Sequence, residues 1–482
     1  MTEDYEPNWD SLRKHPSPKW LFDAKFGLYF HWGPYSVAKR GCWYGHNMYL
    51  KGKHGVEPGS DWREVNDFDY HRKEFGDQGE FGYKDLIPLF KGENFDPEEW
   101  AELCERAGAK FAGPVAIFHD NFAMYDSDVT EWNSVNMGPK RDVVGELAEA
   151  IRDRRMKFVT TFHHAANWEF FPHEKEYDTS NPDYKALYGK PHNSLADPRE
   201  PAERPDEEYF ENWRDMTTEV MDKYRPDLVW FDFGWGRWYF EDKYKQEVLA
   251  HYYNKAEEWG KEVGVLFKPG CLPRGVGDFV DFERDWYRGS GYIHEKWITD
   301  TSIDRRDWSY VENPDYKPVD ELISNLVDRV SKNGHLLLNV GPRADGSFPE
   351  KARERVLEIG NWLRINGESI FGTRPWIQPE RGSMRLTLKG DTAYLSCFDT
   401  PGAQATVTGV IAQPDAKIKM LGSEEDLEWE QDDESLIIKS LPDELPTEHS
   451  HVFKIPYKAV KGVWNVSKDT YNDLVLKESL SH

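Results

Sequence analysis

The sequence LVWFDFGW, residues 228–235, is an apolar run broken by one carboxylate, that of Asp232. Such a run is typical of a parallel strand that is covered on both faces. Burial of a carboxylate there is costly unless other groups stabilise it. In a barrel, strands end at the mouth that holds the active site, and the indoles of Trp230 and Trp235 suit sugar rings. Asp232 is therefore either a nucleophile of the glycosidase type or a strand-end residue that caps the next loop.

Repeated strand–helix units surround this segment. The helical stretches cover residues 320–332 and about 350–366, and a further helix begins near Asp142. Alternation of this kind over about 370 residues predicts a (β/α)8-type, TIM-like barrel, regular or irregular, over residues 1–375. No glycine-rich nucleotide fingerprint is present. The other predicted strands are residues 26–32, 111–118, 158–164, 263–267, 279–282 and 336–340.

Beyond Trp376 the pattern changes to short alternating segments that are separated by turn-forming residues. This pattern predicts an antiparallel β-sandwich over residues 376–482, with the boundary near residues 373–382. The predicted strands are residues 384–388, 393–398, 405–411, 417–421, 436–438 and 451–455.

The composition excludes several classes of partner. The 482 residues include 61 Lys plus Arg and 87 Asp plus Glu, which gives a net charge of −26. Such a surface repels nucleic acid and anionic membranes, so neither is expected as a general partner. The four cysteines form no CxxC pair, so we predict no metal centre, and no cofactor is expected. No apolar leader segment or membrane-length run is visible, so we expect no signal peptide and leave the compartment open.

A second carboxylate, that of Glu283, also ends a predicted strand. Together with Asp232 it suggests the two-carboxylate mechanism of glycoside hydrolysis, in which both acids face one sugar-sized gap. The alternative is a surface salt bridge to Arg284. Histidines end other strands, but a backbone hydrogen bond explains each of them equally well. His163 and His164 are adjacent, so at most one of them faces the barrel mouth.

Five segments resemble glycoside hydrolase family 29, the α-L-fucosidases. They are KFGLYFHWGPYS at residues 25–36, WNSV followed by GPKRDVVGEL at residues 132–147, WFD at residues 230–232, W-x-TDTSI at residues 297–303, and VSKNGHLLLNVGP at residues 330–342. The resemblance implies the same barrel and sandwich. It also implies a retaining exo-hydrolase that removes terminal α-L-fucosyl residues from oligosaccharides or glycoconjugates, and a periplasmic or secreted location.

By the same resemblance, Asp232 is the nucleophile and Glu283 the acid/base, with Glu295 as the competitor for the second role. The residues expected to line the fucose pocket are His31, Trp43, His119, His163 or His164, Trp230 and Lys268.

Three residues depart from the pattern of the family. Cys42, Phe118 and Ile298 stand where many members have polar side chains, so we expect a roomier and less polar pocket. The departures leave three alternatives open: a fucose-binding protein without activity, a hydrolase of sulfated or acetylated fucosides, and an α-L-galactosidase. The acidic composition argues against sulfate. Linkage, aglycone and oligomeric state are left open.

Overall fold

A computed structural model of the chain describes residues 4–52, 54–56, 63–192, 203–285, 292–442 and 444–460. Its largest element is a closed barrel of eight parallel strands, in which each strand pairs with its neighbours in chain order and the last pairs with the first. The strands are β1 Phe26–Phe30, β2 Phe111–Ile117, β3 Lys157–Phe162, β4 Leu228–Phe231, β5 Gly264–Phe267, β6 Phe279–Asp281, β7 Trp297–Ser302 and β8 Leu336–Val340.

Seven of these strands confirm the predictions from the sequence, and the eighth, β7, is missing from them. Only Trp297 and Ile298 are apolar, and the four residues that follow them are polar, so the strand lacks the apolar run that marks the other strands. The barrel is filled by large side chains from alternate positions, among them Tyr29, Phe111 and Trp230. The interior is therefore a packed core.

Helices cover the outside of the barrel. The main ones are α1 Pro97–Arg106, α2 Val143–Asp153, α3 Glu207–Tyr224, α4 Asp242–Trp259, α5 Val319–Ser331 and α6 Glu350–Asn366. The predicted helices correspond to α2, α5 and α6, and Asp142 caps α2 by accepting a hydrogen bond from the backbone amide of Gly145. Residues 268–278, all of them described, join β5 to β6 without a helix, so the barrel is irregular. Shorter helices are Trp9–Leu12, Lys19–Ala24, Tyr44–Asn47, Asp67–Glu74, Asn167–Phe170 and Lys185–Tyr188.

Antiparallel strands follow the barrel in two packed sheets. The larger sheet contains Arg374–Arg381, Met384–Lys389, Thr392–Cys397, Val410–Ala412, Lys419–Met420 and His451–Val460, and the smaller one Ala405–Thr408, Trp429–Gln431 and Ser435–Ile438. The sheets enclose their own apolar core. These sheets and the barrel confirm the predicted fold class.

The prediction of one strand over residues 405–411 is wrong. Gly409, at φ 80°, divides this segment into strands that join different sheets. Strand Arg374–Arg381 was not predicted because it contains Pro375 and Pro379, which a sheet accommodates at an edge such as this one. The same strand crosses the predicted boundary at residue 375, which stays a prediction. Of residues 376–482, residue 443 and residues 461–482 lie outside the described part.

Among the described ranges, no helix combines the length and the apolar composition that a membrane crossing requires.

Candidate active site

The carboxyl ends of the barrel strands surround a cavity of about 390 Å³, a size typical of small-molecule sites. Its lining includes eight of the residues that the sequence placed in the site, namely Asp232, Glu283, His31, Trp43, His119, His163, Trp230 and Lys268. These residues come from six strands and the loops that follow them, and only closure of the barrel brings them together. His164 and Glu295 do not belong to this lining.

Asp232 follows β4 and begins a short helix, Phe233–Gly236. Its Oδ1 accepts a hydrogen bond of 2.8 Å from the backbone amide of Phe233. Its Oδ2 lies 3.0 Å from Nδ1 of His163 and 3.4 Å from Nε2 of His119. Burial raises the pKa of the Asp232 carboxyl, but the hydrogen bond from His163 and the favourable electrostatic interactions with His163, His119 and Lys268 outweigh it. The net result is a pKa well below the usual range, so Asp232 is ionised at neutral pH.

The two histidines are themselves fixed by hydrogen bonds. Nδ1 of His119 donates to the carbonyl of His163 at 2.7 Å, and burial lowers the pKa of His119 to about 3. His119 is therefore neutral and its Nε2 is an acceptor. Nε2 of His163 accepts a hydrogen bond of 3.0 Å from the hydroxyl of Thr161. Nδ1–H of His163 is therefore available to donate to Asp232. His164 points to the opposite face, where its ring stacks on Trp213.

Asp232, His119 and His163 are also a set of donors that could hold a cation, because their ligand atoms lie within 4.8 Å of one another. The hydrogen bonds of both histidines account for the cluster without a metal ion. The expected absence of a metal stays a prediction.

Replacement of His163 by Ala is expected to move the acidic limb of kcat/KM to higher pH. The hydrogen bond from His163 depresses the pKa of Asp232, so its loss raises that pKa, and the ionised nucleophile then disappears at a higher pH. A hydrogen bond to a charged group contributes about 1.5–3 kcal/mol, so kcat/KM is also expected to fall by about 10- to 100-fold. A pH–rate profile measures both effects.

The control is His164→Ala, which removes the adjacent ring from the opposite face of the strand end. Its acidic limb should remain at the position of the wild-type limb. An identical limb in His163→Ala and the wild-type protein would remove His163 from the set of groups that keep Asp232 ionised.

Lys268 follows β5 and is surrounded by three carboxylates. Its Nζ lies 2.8 Å from Oδ1 of Asp300, 2.9 Å from Oδ2 of Asp281 and 3.2 Å from Oε2 of Glu283. Burial favours a neutral lysine, but the three carboxylates outweigh this effect and raise the pKa of Lys268 well above its usual value. The lysine is therefore a permanent cation that fixes the position of Glu283.

Glu283 follows β6 and lies in the same cavity as Asp232, as the two-carboxylate hypothesis requires. Burial raises the pKa of the Glu283 carboxyl. Asp300 and Asp232 raise it further, while Lys268 and Arg284 lower it, and the net pKa is above the ordinary value. The pKa of Glu283 is therefore raised, as a proton donor requires, and that of Asp232 is lowered, as an ionised nucleophile requires. Glu295 is exposed and lines a different cavity on the outside of the barrel.

The remaining predicted residues form the walls of the cavity. His31 donates from Nδ1 to Oδ1 of Asn339 at 2.9 Å, and burial lowers its pKa well below the ordinary value, so Nε2 is free to accept. The ring centroids of Trp43 and His119 are 5.2 Å apart. Trp230 donates from Nε1 to Asp281 at 2.9 Å. Trp235 does not reach the cavity; it stacks on Phe231 behind the strand, so its expected role in sugar contact is wrong.

The departures from the family pattern have different outcomes. Cys42 and Phe118 line the cavity, as expected. Ile298 does not, because β7 directs its side chain into the packed barrel interior. It therefore cannot change the polarity of the cavity.

Several lining residues were not predicted as site residues: Asp281, Asp300, Asp307, Trp308, Arg237, Arg284 and Arg306. Asp281 and Asp300 lie on strands β6 and β7, and the backbone amide of Asp300 donates to Oδ1 of Asp281 at 2.8 Å. An acidic residue within a strand of buried side chains is the signal that could have identified both of them. The unpredicted β7 concealed Asp300.

The family model for α-L-fucosidase matches residues 1–368. The chain belongs to the α-L-fucosidase family. The tissue α-L-fucosidase of Rattus norvegicus is 32% identical over 462 residues, which cover 91% of this chain and 88% of the relative. The human tissue α-L-fucosidase is 31% identical over 460 residues, which cover 91% of this chain and 88% of the relative.

Solved α-L-fucosidase structures share the fold. The α-fucosidase of Thermotoga maritima in complex with fucose superposes with a TM-score of 0.74 at 28% identity, and the match covers 94% of this chain and 100% of that one. Membership of the family is thus supported both by the sequence and by the barrel-and-sandwich architecture.

Proposed function

We propose that the protein is a retaining exo-α-L-fucosidase in which Asp232 is the nucleophile and Glu283 the general acid/base. The observation that carries the proposal is that one cavity holds both carboxyls with pKa values shifted in opposite directions. An ionised and a protonated acid on one sugar site are what retaining hydrolysis requires. The membership of the α-L-fucosidase family supports the choice of sugar.

In the first step, an oxygen of Asp232 attacks C1 of the fucosyl residue while Glu283 donates its proton to the departing glycosidic oxygen. The product is a β-linked fucosyl ester on Asp232 and a free aglycone. In the second step, the ionised Glu283 removes a proton from water, which attacks C1 and releases α-L-fucose. Lys268 positions Glu283 during both steps and stabilises its ionised form between them.

The cavity also offers partners for the sugar hydroxyls. Nε2 of the neutral His119 and Oδ2 of Asp232 are two acceptors 3.4 Å apart, so a sugar hydroxyl beside them could donate its proton to either one. Nε2 of His31 is a further acceptor. Trp43 supplies an aromatic wall. A cavity at one mouth of a closed barrel suits a terminal sugar, which supports exo-action.

The proposal predicts that the purified protein hydrolyses an aryl α-L-fucoside with net retention. Proton NMR of the early reaction should show α-L-fucose first, followed by mutarotation to the β-anomer, because two inversions at C1 restore the configuration. Appearance of β-L-fucose first would contradict the covalent mechanism.

A fucose-binding protein without activity is the alternative from a different class. Cys42 and Phe118 in the cavity wall motivate it, whereas both carboxylates argue for the enzyme. Fucose binding without hydrolysis across a broad panel of fucosides would favour it. An α-L-galactoside in the same panel tests whether the cavity admits a hydroxyl at C6, and acetylated fucosides test the remaining alternative.

A further inference from the structure

The cavity carries five carboxylates and four basic side chains, and their distribution is uneven. The carboxylates are Asp232, Asp281, Glu283, Asp300 and Asp307, and the basic residues are Arg237, Lys268, Arg284 and Arg306. Two of the cations are neutralised: Lys268 by three carboxylates, and Arg237 by Glu169, whose Oε1 lies 2.6 Å from its Nε. Within the described ranges, the guanidinium of Arg284 and that of Arg306 form no ion pair with a carboxylate oxygen within 4.0 Å, although the backbone amide of Arg306 donates to Oδ1 of Asp304 at 3.0 Å.

Arg284 is held in place by contacts other than an ion pair. Its guanidinium lies 4.3 Å above the ring of Trp308, and Nη1 donates to the carbonyl of Arg305 at 3.1 Å. Its Nε is buried and, in the part of the chain that the structure describes, has no acceptor. The backbone of Arg284 is left-handed, with φ 44° and ψ 40°, a conformation that non-glycine residues adopt only at a cost. The position of this side chain directly after Glu283 therefore costs backbone conformational energy.

Arg306 approaches the cavity from the loop that follows β7. It is exposed, and its Nη1 donates to the carbonyl of Asn313 at 2.7 Å, which orients the side chain without neutralising it. Arg284 and Arg306 therefore present two positive charges at the cavity, which Trp308 also lines. Guanidinium groups with free donors are well suited to sulfate and carboxylate.

We propose that Arg284 and Arg306 form a subsite for an anionic substituent of the substrate, a sulfate ester or a carboxylate, on the fucosyl residue or on the sugar joined to it. This inference rests on the proposed function, because it assumes a fucoside in the cavity. The net charge of −26 does not decide the question, since at physiological ionic strength the fields of distant surface charges are screened beyond about 8 Å.

Direct binding tests the subsite without requiring turnover. Calorimetry on the wild-type protein compares L-fucose with its 2-, 3- and 4-O-sulfates. Calorimetry on Asp232→Asn compares fucosyl-glucuronic acid with fucosyl-glucose. At least one anionic ligand is expected to bind about 10-fold more tightly than its neutral counterpart at low salt, as charged hydrogen bonds predict. Preference for a sulfate places the anion on the fucose, and preference for the uronate places it on the adjoining sugar.

Arg284→Gln is expected to abolish the preference and Arg306→Gln to reduce it, where the preference is the ratio of the affinity for the anionic ligand to that for its neutral counterpart in the same variant. Arg353→Gln is the matched control: it removes one positive charge from α6, where Arg353 pairs with Glu99 away from the cavity, and should keep the full preference. Arg306 is exposed, so its variant remains informative if Arg284→Gln unfolds.

Equal affinity for all charged and neutral pairs would overturn the subsite, as would a preference that survives in both arginine variants. Hydrolysis of a neutral aryl fucoside is scored separately. Loss of the subsite and loss of the proposed function are therefore distinguishable results.

Discussion

Replacement of Asp232 by Asn is expected to lower kcat/KM for an aryl α-L-fucoside by about 10⁴-fold or more, which corresponds to about 5.5 kcal/mol of transition-state stabilisation. The amide keeps the shape and the acceptor that His163 uses, but it cannot form the ester to C1. Fucose binding should persist because the cavity walls are intact. Steady-state kinetics and calorimetry measure the two quantities.

A matched control for this variant is Asp278→Asn. Asp278 is also a buried carboxylate next to a barrel strand, but it directly precedes β6 and therefore lies at the end of the barrel opposite the cavity. Its Oδ2 accepts a hydrogen bond of 2.7 Å from the backbone amide of Val265. This variant should keep kcat/KM within a few-fold of the wild-type value. If Asp232→Asn kept a tenth or more of the wild-type kcat/KM, Asp232 would not be the nucleophile.

Replacement of Glu283 by Ala is expected to lower kcat/KM by about 10²- to 10⁴-fold for fucosides with poor leaving groups, the usual contribution of a general acid. The loss should be smaller for a dinitrophenyl fucoside, because that leaving group departs without a proton. Azide should restore turnover and give α-L-fucosyl azide, since it attacks the β-linked intermediate in place of water. The alkaline limb of kcat/KM, which reports the raised pKa of Glu283, should disappear.

Glu295→Ala is the control for this result, because Glu295 is an exposed glutamate of the following loop and lies outside the cavity. It should keep both kcat/KM and the alkaline limb. Azide rescue in Glu295→Ala together with unaltered activity in Glu283→Ala would transfer the acid/base role to Glu295.

Much of this site could be predicted from the sequence because its main residues lie directly after strands that the sequence reveals. Asp232, Glu283 and Lys268 each follow an apolar run, and parallel strands bring such ends to one mouth. The charge network could not be predicted in the same way. The contact between Lys268 and Asp300 depends on the registers of β5, β6 and β7, and β7 lacks the apolar run that would have revealed it.

The polarity of the cavity could not be predicted from the sequence either. Three substitutions in the family motifs suggested a less polar pocket, but Ile298 faces the barrel interior and three arginines reach the cavity from loops. A motif identifies which residue type has changed, whereas the tertiary structure determines which side chains replace the lost groups. In the sequence, Arg284 was considered only as a salt-bridge partner of Glu283.

Mass spectrometry of the trapped intermediate tests the central claim most directly. The protein is incubated with a 2-deoxy-2-fluoro-fucosyl fluoride, which slows hydrolysis of the ester more than its formation, and is then digested and sequenced by fragmentation. The account predicts one fluorofucosyl group on the peptide that contains Asp232, attached to that residue. An adduct on another carboxylate, or turnover of aryl fucosides with no adduct at all, would contradict it.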